Sequence, residues 1–217
     1  MQKLWQDLIE FIFPSHCIGC KTRGIALCPV CISKIPPADP FPKDWIRSIF
    51  YYKDPTIKKA LWALKYKNKK EVGKILGIHI YEYLLEDVSD LELFSNIQTW
   101  TVVPIPISKR RLKKRGYNQA AILTESLCAQ DAGQIFIFSP HALQKIKDIQ
   151  SQAETKNRTE RLKNILGSFA VKDPEKITGK NIILVDDIVT TGATLTEARR
   201  VLKEAGAKKI IAVTVAH

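Results

Sequence analysis

The chain has 217 residues, 45% of them hydrophobic, and its 34 basic and 22 acidic residues give a formal net charge of +12. This length fits one domain of normal size plus a small appendage, and no apolar stretch is long enough to cross a membrane, which excludes a transmembrane segment. The basic charge suits a phosphate-rich ligand, nucleic acid or simple solubility, and it does not choose among them.

The first segment, residues 2–13, has apolar residues at helical spacing with polar residues between them. This pattern predicts an amphipathic helix that packs on the chain's own core, the alternative being a role at a partner or membrane surface. Acidic residues interrupt any apolar run of the kind found in secretory signals, so we expect a cytoplasmic protein.

Two Cys-x-x-Cys pairs, separated by seven residues, follow this helix: Cys17 with Cys20, and Cys28 with Cys31. Four thiolates at this spacing can close a tetrahedral site around one structural Zn²⁺. The alternative is disulfide bonding, which the lack of a secretory signal and the odd fifth cysteine, Cys128, both oppose. Cys128 falls on the apolar side of a helix pattern, and we expect it to be packed rather than reactive.

Four prolines between positions 36 and 42 indicate a stiff linker, and the domain boundary is placed there. The sequence thus predicts an N-terminal unit, residues 1–42, that contains the helix, the zinc-binding module and the linker. The main domain is residues 43–217.

After the linker, residues 46–52 have the pattern of a strand, and residues 57–66 and 71–85 have those of helices, with lysines crowding their junction. Aromatic residues interleave the basic residues at Tyr51, Tyr52, Trp62, Tyr66 and Tyr117. Such rings predict either core packing or stacking on unpaired bases.

A second strand is predicted at residues 101–107, followed by a strongly basic stretch, residues 109–115, in which six of seven residues are Lys or Arg. A loop at the end of a strand that offers Arg forks, a flexible Gly116 and a helix start is suited to bind pyrophosphate. The alternative is a solvated basic surface loop. The helix is predicted at residues 120–130.

A polar loop, residues 142–164, comes next, and we expect Phe169 to resume the sheet. The following run, residues 182–185, is apolar and β-branched, which predicts a strand buried on both faces. Helix 195–205 and a last strand, 208–216, complete the pattern.

Two adjacent carboxylates, Asp186 and Asp187, and a loop of small hydroxyl-bearing residues lie between that strand and its helix. The first N–H groups of the helix and its dipole favour a phosphate, and the loop adds hydroxyl donors. The carboxylates can accept hydrogen bonds from vicinal ribose hydroxyls or help to place a divalent cation. The sequence contains neither a Walker loop nor a Rossmann glycine motif.

Residues 182–194 resemble, position by position, the 5-phosphoribosyl-1-pyrophosphate (PRPP) binding motif of type I phosphoribosyltransferases. By that resemblance, Asp186 and Asp187 hold the ribose 2′- and 3′-hydroxyls. The residues expected to wrap the 5′-phosphate are Thr190, Thr191, Gly192, Ala193 and Thr194.

Further motifs narrow the resemblance to one family. They are Val-Pro-Ile-Pro at 103–106, Arg111, the run Arg115-Gly116-Tyr117-Asn118-Gln119, and Arg161 and Asn164 followed by Gly167-Ser168-Phe169. With the acidic pair, they resemble the ComF/GntX family over about residues 50–217, and the two Cys-x-x-Cys pairs fit it as well. The resemblance implies a pyrophosphate loop of Arg111, Arg115, Gly116, Asn118 and Gln119, and a flexible loop that contains Arg161 and Asn164.

The fold expected is α/β: a type I phosphoribosyltransferase domain with a mostly parallel sheet and helices on both faces, preceded by a small four-cysteine zinc module. The function expected is a ComF-type protein that binds PRPP with Mg²⁺ and acts in DNA uptake or processing during natural transformation. Single-stranded DNA and DNA-uptake proteins are its candidate partners.

Turnover and the acceptor are left open. An active chain would be a phosphoribosyltransferase of the glycosyltransferase class, and no catalytic residue is assigned. The alternatives are a nucleotide salvage or biosynthetic phosphoribosyltransferase, and a non-catalytic nucleic-acid-binding module on the same fold.

Overall fold

The computed structural model describes residues 15–90, 99–147 and 165–217. The predicted helix at residues 2–13 and the predicted loop residues Arg161 and Asn164 lie outside the described residues. Within the described part, no helix has the length and apolar character needed to cross a membrane.

The described helices are α1 (Pro29–Ile32), α2 (Pro55–Tyr66), α3 (Lys70–Asp90), α4 (Lys109–Arg115), α5 (Gln119–Ala129) and α6 (Ala193–Glu204), with a 3₁₀ turn at Pro174–Lys176. The strands are β1 (Ile46–Phe50), β2 (Trp100–Pro104), β3 (Phe136–Phe138), β4 (Leu143–Lys145), β5 (Phe169–Val171), β6 (Asn181–Ile188) and β7 (Lys209–Ala216).

Five strands form one parallel sheet in the order β1-β7-β6-β2-β3, which confirms the predicted fold class. The central strand, β6, sends alternate side chains into two cores. Ile183 and Val185 pack in the cluster that contains the buried faces of α3 and α5. Ile182 and Leu184 pack with α6 on the other face. The apolar run of this strand is continuous because both faces are covered by helices.

The prediction that Phe169 resumes the main sheet was wrong. It lies in β5, which pairs antiparallel with β4 to make a separate two-stranded sheet. Phe169 and Leu143 are buried in the same cluster as the apolar face of α6. The short β4–β5 pair therefore covers one flank of α6 instead of widening the main sheet.

The basic stretch predicted as a loop at residues 109–115 is the helix α4. The Ser108 hydroxyl accepts a hydrogen bond from the Arg111 N–H at 3.3 Å, and Gly116, with a φ of +80°, ends the helix in the left-handed conformation. Arg, Lys and Leu are good helix formers, so a Ser cap and a terminal Gly are sufficient to define a short helix here. The loop was predicted from the charge of the stretch, although its residues also favour a helix.

The four-cysteine segment packs against the main domain. Leu27 and Ile32 are buried in the same apolar cluster as Leu61 of α2. The Ser15 hydroxyl donates a hydrogen bond to Glu71 at the start of α3 at 2.7 Å. Burying one such aliphatic side chain stabilises a protein by about 1.5–3 kcal/mol, so this contact is a substantial one for so small a segment.

The proline-rich segment, predicted as a stiff linker, also contacts the domain at both ends. Pro37 forms an antiparallel bridge with Phe50 on the outer edge of β1. Further along, Phe41 packs against the apolar cluster that contains the buried face of α6. The segment thus covers the edge strand and reaches the helix that follows β6.

Candidate functional site

A cleft of about 200 Å³ lies where β2 and β6 end. In parallel α/β sheets this edge is where ligands bind, because loops and helix N-termini converge there. α2, α4, α5 and β4 supply the other walls. The charged side chains that line the cleft are Lys65, Arg111, Arg115, Lys145, Asp186 and Asp187.

The two carboxylates lie just before β6 ends, and they are in different environments. Asp187 is 7% exposed and makes an ion pair with Lys65 of α2, with 3.0 Å between Nζ and Oδ2. The Asp186 carboxylate accepts a hydrogen bond from the N–H of Asp187 at 2.8 Å. Both side chains line the cleft, so their remaining oxygen lone pairs are available to a ligand.

Burial, and after it the neighbouring charge of Asp187, raises the pKa of the Asp186 carboxyl to about 7. Lys65 and Lys145 act in the opposite direction but do not restore the ordinary value of that pKa. The free site therefore holds closely spaced negative charge that a cation or hydrogen-bond donors would stabilise.

The loop after β6 leads directly into the N-terminus of α6. Gly192 has a φ of +72°, and a side chain there would lie 3.2–3.3 Å from Phe41 and Ile46. The N–H of Ala193 donates to the Thr191 hydroxyl at 3.4 Å. Thr194, in the first turn of α6, lines the cleft. The positive end of the helix dipole is thus directed to the edge of the sheet that carries the carboxylates.

α4 presents two arginines to the opposite side of the cleft. Arg111 and Arg115 are four residues apart and so share one helix face, and both line the cleft. Arg115 is held by two contacts: it donates a hydrogen bond to Gln119 Oε1 at 2.8 Å, and its guanidinium lies 5.4 Å from the centroid of the Tyr66 ring. The other basic residues of α4 are exposed outside the cleft.

Asn118 and Gln119 connect α4 to the sheet. The Asn118 side chain accepts a hydrogen bond from Ala120 N–H at 3.2 Å, capping α5, and donates one to the Ile105 carbonyl at 3.0 Å. Gln119 is only 2% exposed, lines the cleft, and its Nε2 has no hydrogen-bond partner among the described residues. A buried amide donor at the cleft wall can donate a hydrogen bond to an acceptor that enters the cleft.

Two lining cations were not predicted as site residues. Lys65 is the penultimate residue of α2, and Lys145 ends β4. Each comes from an element far from β6 in sequence, so neither local spacing nor helix periodicity could assign it to the cleft. The crowding of lysines after residue 57 was the one signal present, and it did not distinguish Lys65 from its exposed neighbours.

The four predicted zinc ligands lie together in the structure. The sulfur atoms of Cys17, Cys20, Cys28 and Cys31 are all within 4.8 Å of one another, and those of Cys20 and Cys28 are 3.6 Å apart. With Zn–S bonds of about 2.3 Å, the edge of a tetrahedral site is about 3.8 Å. A side chain at Gly19 would lie 2.6 Å from the Cys31 sulfur, which explains the glycine inside the first pair. The cluster therefore fits a tetrahedral metal.

Cys20, the exposed thiol of the cluster, ionises more readily than an ordinary cysteine. Hydrogen bonds from the side chain and backbone of Thr22 lower the pKa of Cys20 to about 6. The thiolate is the form that binds metal. Burial raises the pKa of Cys128, the fifth cysteine, to about 12, in keeping with the prediction that it is packed and not reactive.

Comparison with known proteins places this site in context. The family described as phosphoribosyl transferase domain matches residues 138–217, which include β6, the loop after it, α6 and β7. Competence protein ComFC of Bacillus subtilis (strain 168) is 34% identical over 163 residues, covering 74% of this chain and 58% of that protein. The chain belongs to the ComF family.

Other members of this family match different shares of the chain. The DNA utilization protein YhgH of Salmonella typhimurium is 26% identical over 215 residues, 90% of this chain and 86% of that protein. Competence protein ComFC of Streptococcus pneumoniae is 37% identical over 119 residues, 55% of this chain and 49% of that protein. The chain thus spans about half the length of the two ComFC relatives and most of the length of YhgH.

The family assignment agrees with the type I phosphoribosyltransferase fold and the four-cysteine cluster at its N-terminal side. The structure brings the acidic pair, Thr194, both α4 arginines, Asn118 and Gln119 to one cleft. Gly116 lies at the end of α4, where its conformation ends the helix and where a Cβ atom would have no neighbour within 4 Å in the described part of the chain.

Proposed function

We propose that the cleft binds PRPP together with Mg²⁺ and that the protein acts in DNA uptake or processing in the cytoplasm. One juxtaposition supports the proposal: an acidic pair, Thr194 in the first turn of α6 and two arginines border the same cleft. PRPP carries the complementary groups, namely two ribose hydroxyls, a 5′-phosphate and a pyrophosphate.

Each group of the ligand has a matching receptor. Asp186 and Asp187 would accept hydrogen bonds from the ribose hydroxyls. The hydroxyls of Thr191 and Thr194, with the first N–H groups of α6, would take the 5′-phosphate. Arg111 and Arg115 would hold the pyrophosphate through paired N–H donors.

The ion pair between Lys65 and Asp187 adds a step to binding. Ribose hydroxyls at Asp187 would have to share the carboxylate with the lysine, or replace it. Lys65 would then be free to approach a phosphate oxygen in the same cleft. The chain thus keeps the carboxylate paired before the ligand arrives, which lowers the cost of burying it.

Mg²⁺ prefers oxygen ligands, and the carboxylates of Asp186 and Asp187 fit that preference; bound with PRPP, it would neutralise charge on the pyrophosphate. In phosphoribosyl transfer the C1–O bond to pyrophosphate breaks as a bond from C1 to a nitrogen nucleophile forms. Pyrophosphate leaves with the electron pair, and the proton of the nucleophile passes to solvent. Arg111 and Arg115 would stabilise the departing charge, and no covalent nucleophile is needed.

The role in DNA handling is supported by the relatives. Their names are competence protein and DNA utilization protein, and the match to YhgH extends over 90% of this chain. The salvage or biosynthetic phosphoribosyltransferase is the second candidate, and the free amide donor of Gln119 at the cleft is the one observation that favours a small-molecule acceptor.

We also propose that the four-cysteine cluster holds one structural Zn²⁺. The sulfur separations suit a tetrahedral site, and all four positions are occupied by thiols, which leaves no open position for a substrate. The metal would hold together a segment whose buried residues belong to the main core.

Isothermal titration with PRPP and Mg²⁺ tests the proposed ligand. Asp186→Asn and Asp187→Asn should each weaken binding by about 1–3 kcal/mol, the usual loss for a charged hydrogen-bond acceptor. Asp173→Asn is the matched control, because Asp173 pairs with Lys176 outside the cleft and should leave the affinity unchanged. Wild-type affinity in the double Asn variant would show that the acidic pair does not bind the ribose.

A panel of free bases then separates the two candidate functions. Pyrophosphate release with one of these bases, at PRPP concentrations that saturate the cleft, would favour the salvage or biosynthetic enzyme. PRPP binding without release for any base would leave the DNA-handling protein as the better assignment.

A further inference from the structure

An exposed aromatic pair lies at the end of α2, beside the cleft. Trp62 and Tyr66 are one helical turn apart, with 52% and 57% of their surfaces exposed. Their ring centroids are 6.1 Å apart and the rings are tilted by 49°. Two large rings left open to solvent side by side are a feature of interaction surfaces, since burial would stabilise either of them.

Cations flank both rings. The Lys67 ammonium lies 5.2 Å from the centroid of the Trp62 ring, and the Arg115 guanidinium lies 5.4 Å from that of Tyr66. Arg115 is the last residue of α4, whose other basic side chains are exposed. We call Trp62, Tyr66, Lys67 and Arg115 the stacking surface; it is continuous with the basic helix α4 through Arg115.

We propose that the stacking surface binds unpaired bases of a single-stranded nucleic acid whose phosphates run along α4. The two parts match the two components of a strand, because aromatic faces stack on bases and exposed Lys and Arg side chains neutralise phosphates. This proposal deepens the proposed function, on which it rests for the role of Arg115 in the cleft.

A strand fits this surface better than other ligands do. A free base binds in an enclosed pocket with several hydrogen-bonding groups, whereas Trp62 and Tyr66 lie on the open surface of a helix. In a duplex the base faces are stacked inside and cannot reach the rings. An acidic peptide would pair with Lys67 and Arg115, but its carboxylates would not stack on the two aromatic rings.

Arg115 belongs to the cleft and to the stacking surface at once. A pyrophosphate that draws its guanidinium into the cleft would remove one cation from the Tyr66 ring. PRPP should therefore weaken strand binding. Replacement of Trp62 alone should have no effect on PRPP affinity, because among the described residues Trp62 is paired with Tyr66 and Lys67 and does not line the cleft.

The test is a fluorescence anisotropy titration of the full chain with labelled oligothymidine at several salt concentrations. Stacking on aromatic rings predicts that Trp62→Ala/Tyr66→Ala binds the oligonucleotide about 5- to 150-fold more weakly for each base that no longer stacks. Trp62→Phe/Tyr66→Phe keeps both rings and should retain most of the affinity. Val30→Ala, which alters a 62% exposed apolar residue of α1, is the matched control and should bind as the wild type does.

An abasic oligonucleotide of equal length separates stacking from charge. It keeps the phosphates, so the wild type should bind it about as weakly as Trp62→Ala/Tyr66→Ala binds oligothymidine, and the alanine changes should have no effect on it. Lys113→Glu/Lys114→Glu should instead reduce the salt dependence for both oligonucleotides, by about 0.7 in log-log slope for each phosphate that is no longer neutralised. Oligouridine that binds as oligothymidine does would also support stacking on unpaired bases, with RNA as a further source.

Three outcomes would overturn the proposal: oligothymidine that does not bind, equal affinity for the abasic strand or a duplex, or full affinity in Trp62→Ala/Tyr66→Ala. PRPP titration of the same samples keeps the two proposals apart. A variant that still binds PRPP is folded, so a loss of strand binding in it is specific to the stacking surface. A failure of PRPP binding in the wild type would instead count against the proposed function of the cleft.

Discussion

Replacing Gly192 with alanine should destabilise the protein in a way that reports on how the proline-rich segment is packed. An alanine with a φ of +72° costs about 1–2 kcal/mol, and its Cβ would lie 3.2–3.3 Å from Phe41 and Ile46, which adds an overpacking cost of about 1–3 kcal/mol. Together these costs amount to about 2–5 kcal/mol. For a chain of this size, each kcal/mol corresponds to about 2–4 °C in Tm, so the loss should be about 4–20 °C.

Gly116→Ala is the control. Its φ is +80°, but no atom of the described residues lies within 4 Å of the added methyl, so only the backbone cost of about 1–2 kcal/mol, or about 2–8 °C, should appear. Thermal unfolding followed by circular dichroism measures both losses. In a double-mutant cycle with Phe41→Ala, the share of the steric loss that Phe41 causes should disappear, and the share caused by Ile46 should remain. Equal losses at the two glycines would refute the placement of Phe41 against the loop that follows β6.

Three further outcomes are expected. PRPP–Mg²⁺ affinity should rise with pH through about 7 and then level off, because the Asp186 carboxyl, whose pKa is raised to about 7, must lose its proton to bind; calorimetry on Asp186→Asn should show a flatter profile. Elemental analysis should find one zinc per wild-type chain and per Cys128→Ser chain, and less in Cys17→Ser, which should also unfold at a lower temperature. Glu197→Gln should lower the free energy of unfolding in urea by about 1–3 kcal/mol, and Glu204→Gln should lower it by less than about 1 kcal/mol. Both carboxylates pair with Arg200, but Glu197 is 3% exposed and Glu204 is 63% exposed.

The sequence predicted the parts of the site that are local. The strand, the acidic pair, the loop and the helix of residues 182–205 occur within one continuous stretch, where alternating burial and helix periodicity are readable directly. The parallel sheet followed from repeated strand-helix units. The four-cysteine cluster was also readable, because both Cys-x-x-Cys pairs lie within a span of fifteen residues.

Features that depend on tertiary contacts were not readable in the same way. Lys65 lies near the end of an amphipathic helix, where a lysine predicts solvent, yet its ammonium reaches a carboxylate of β6, far along the chain. β5 is apolar enough for the main sheet, but it is short. It pairs with β4 and packs in the same cluster as α6 instead. The helix α4 was missed for a different reason: its charge suggested a ligand loop, whereas the residues that cap it are ordinary helix signals.

α2 connects the three features of the molecule that its sequence presents separately. Leu61 packs in the cluster that contains the buried cysteine segment, Lys65 pairs with Asp187 in the cleft, and Trp62 and Tyr66 face outward on the stacking surface. Leu61 and Lys65 are four residues apart and share one face of the helix, and Trp62 and Tyr66, with the same spacing, share another. A ligand that takes Asp187 from Lys65 removes the ion pair between α2 and the sheet, and one that draws Arg115 inward uncovers the Tyr66 ring. Both changes occur in the last turn of α2, so occupancy of the cleft and the charge beside the aromatic pair are physically linked there.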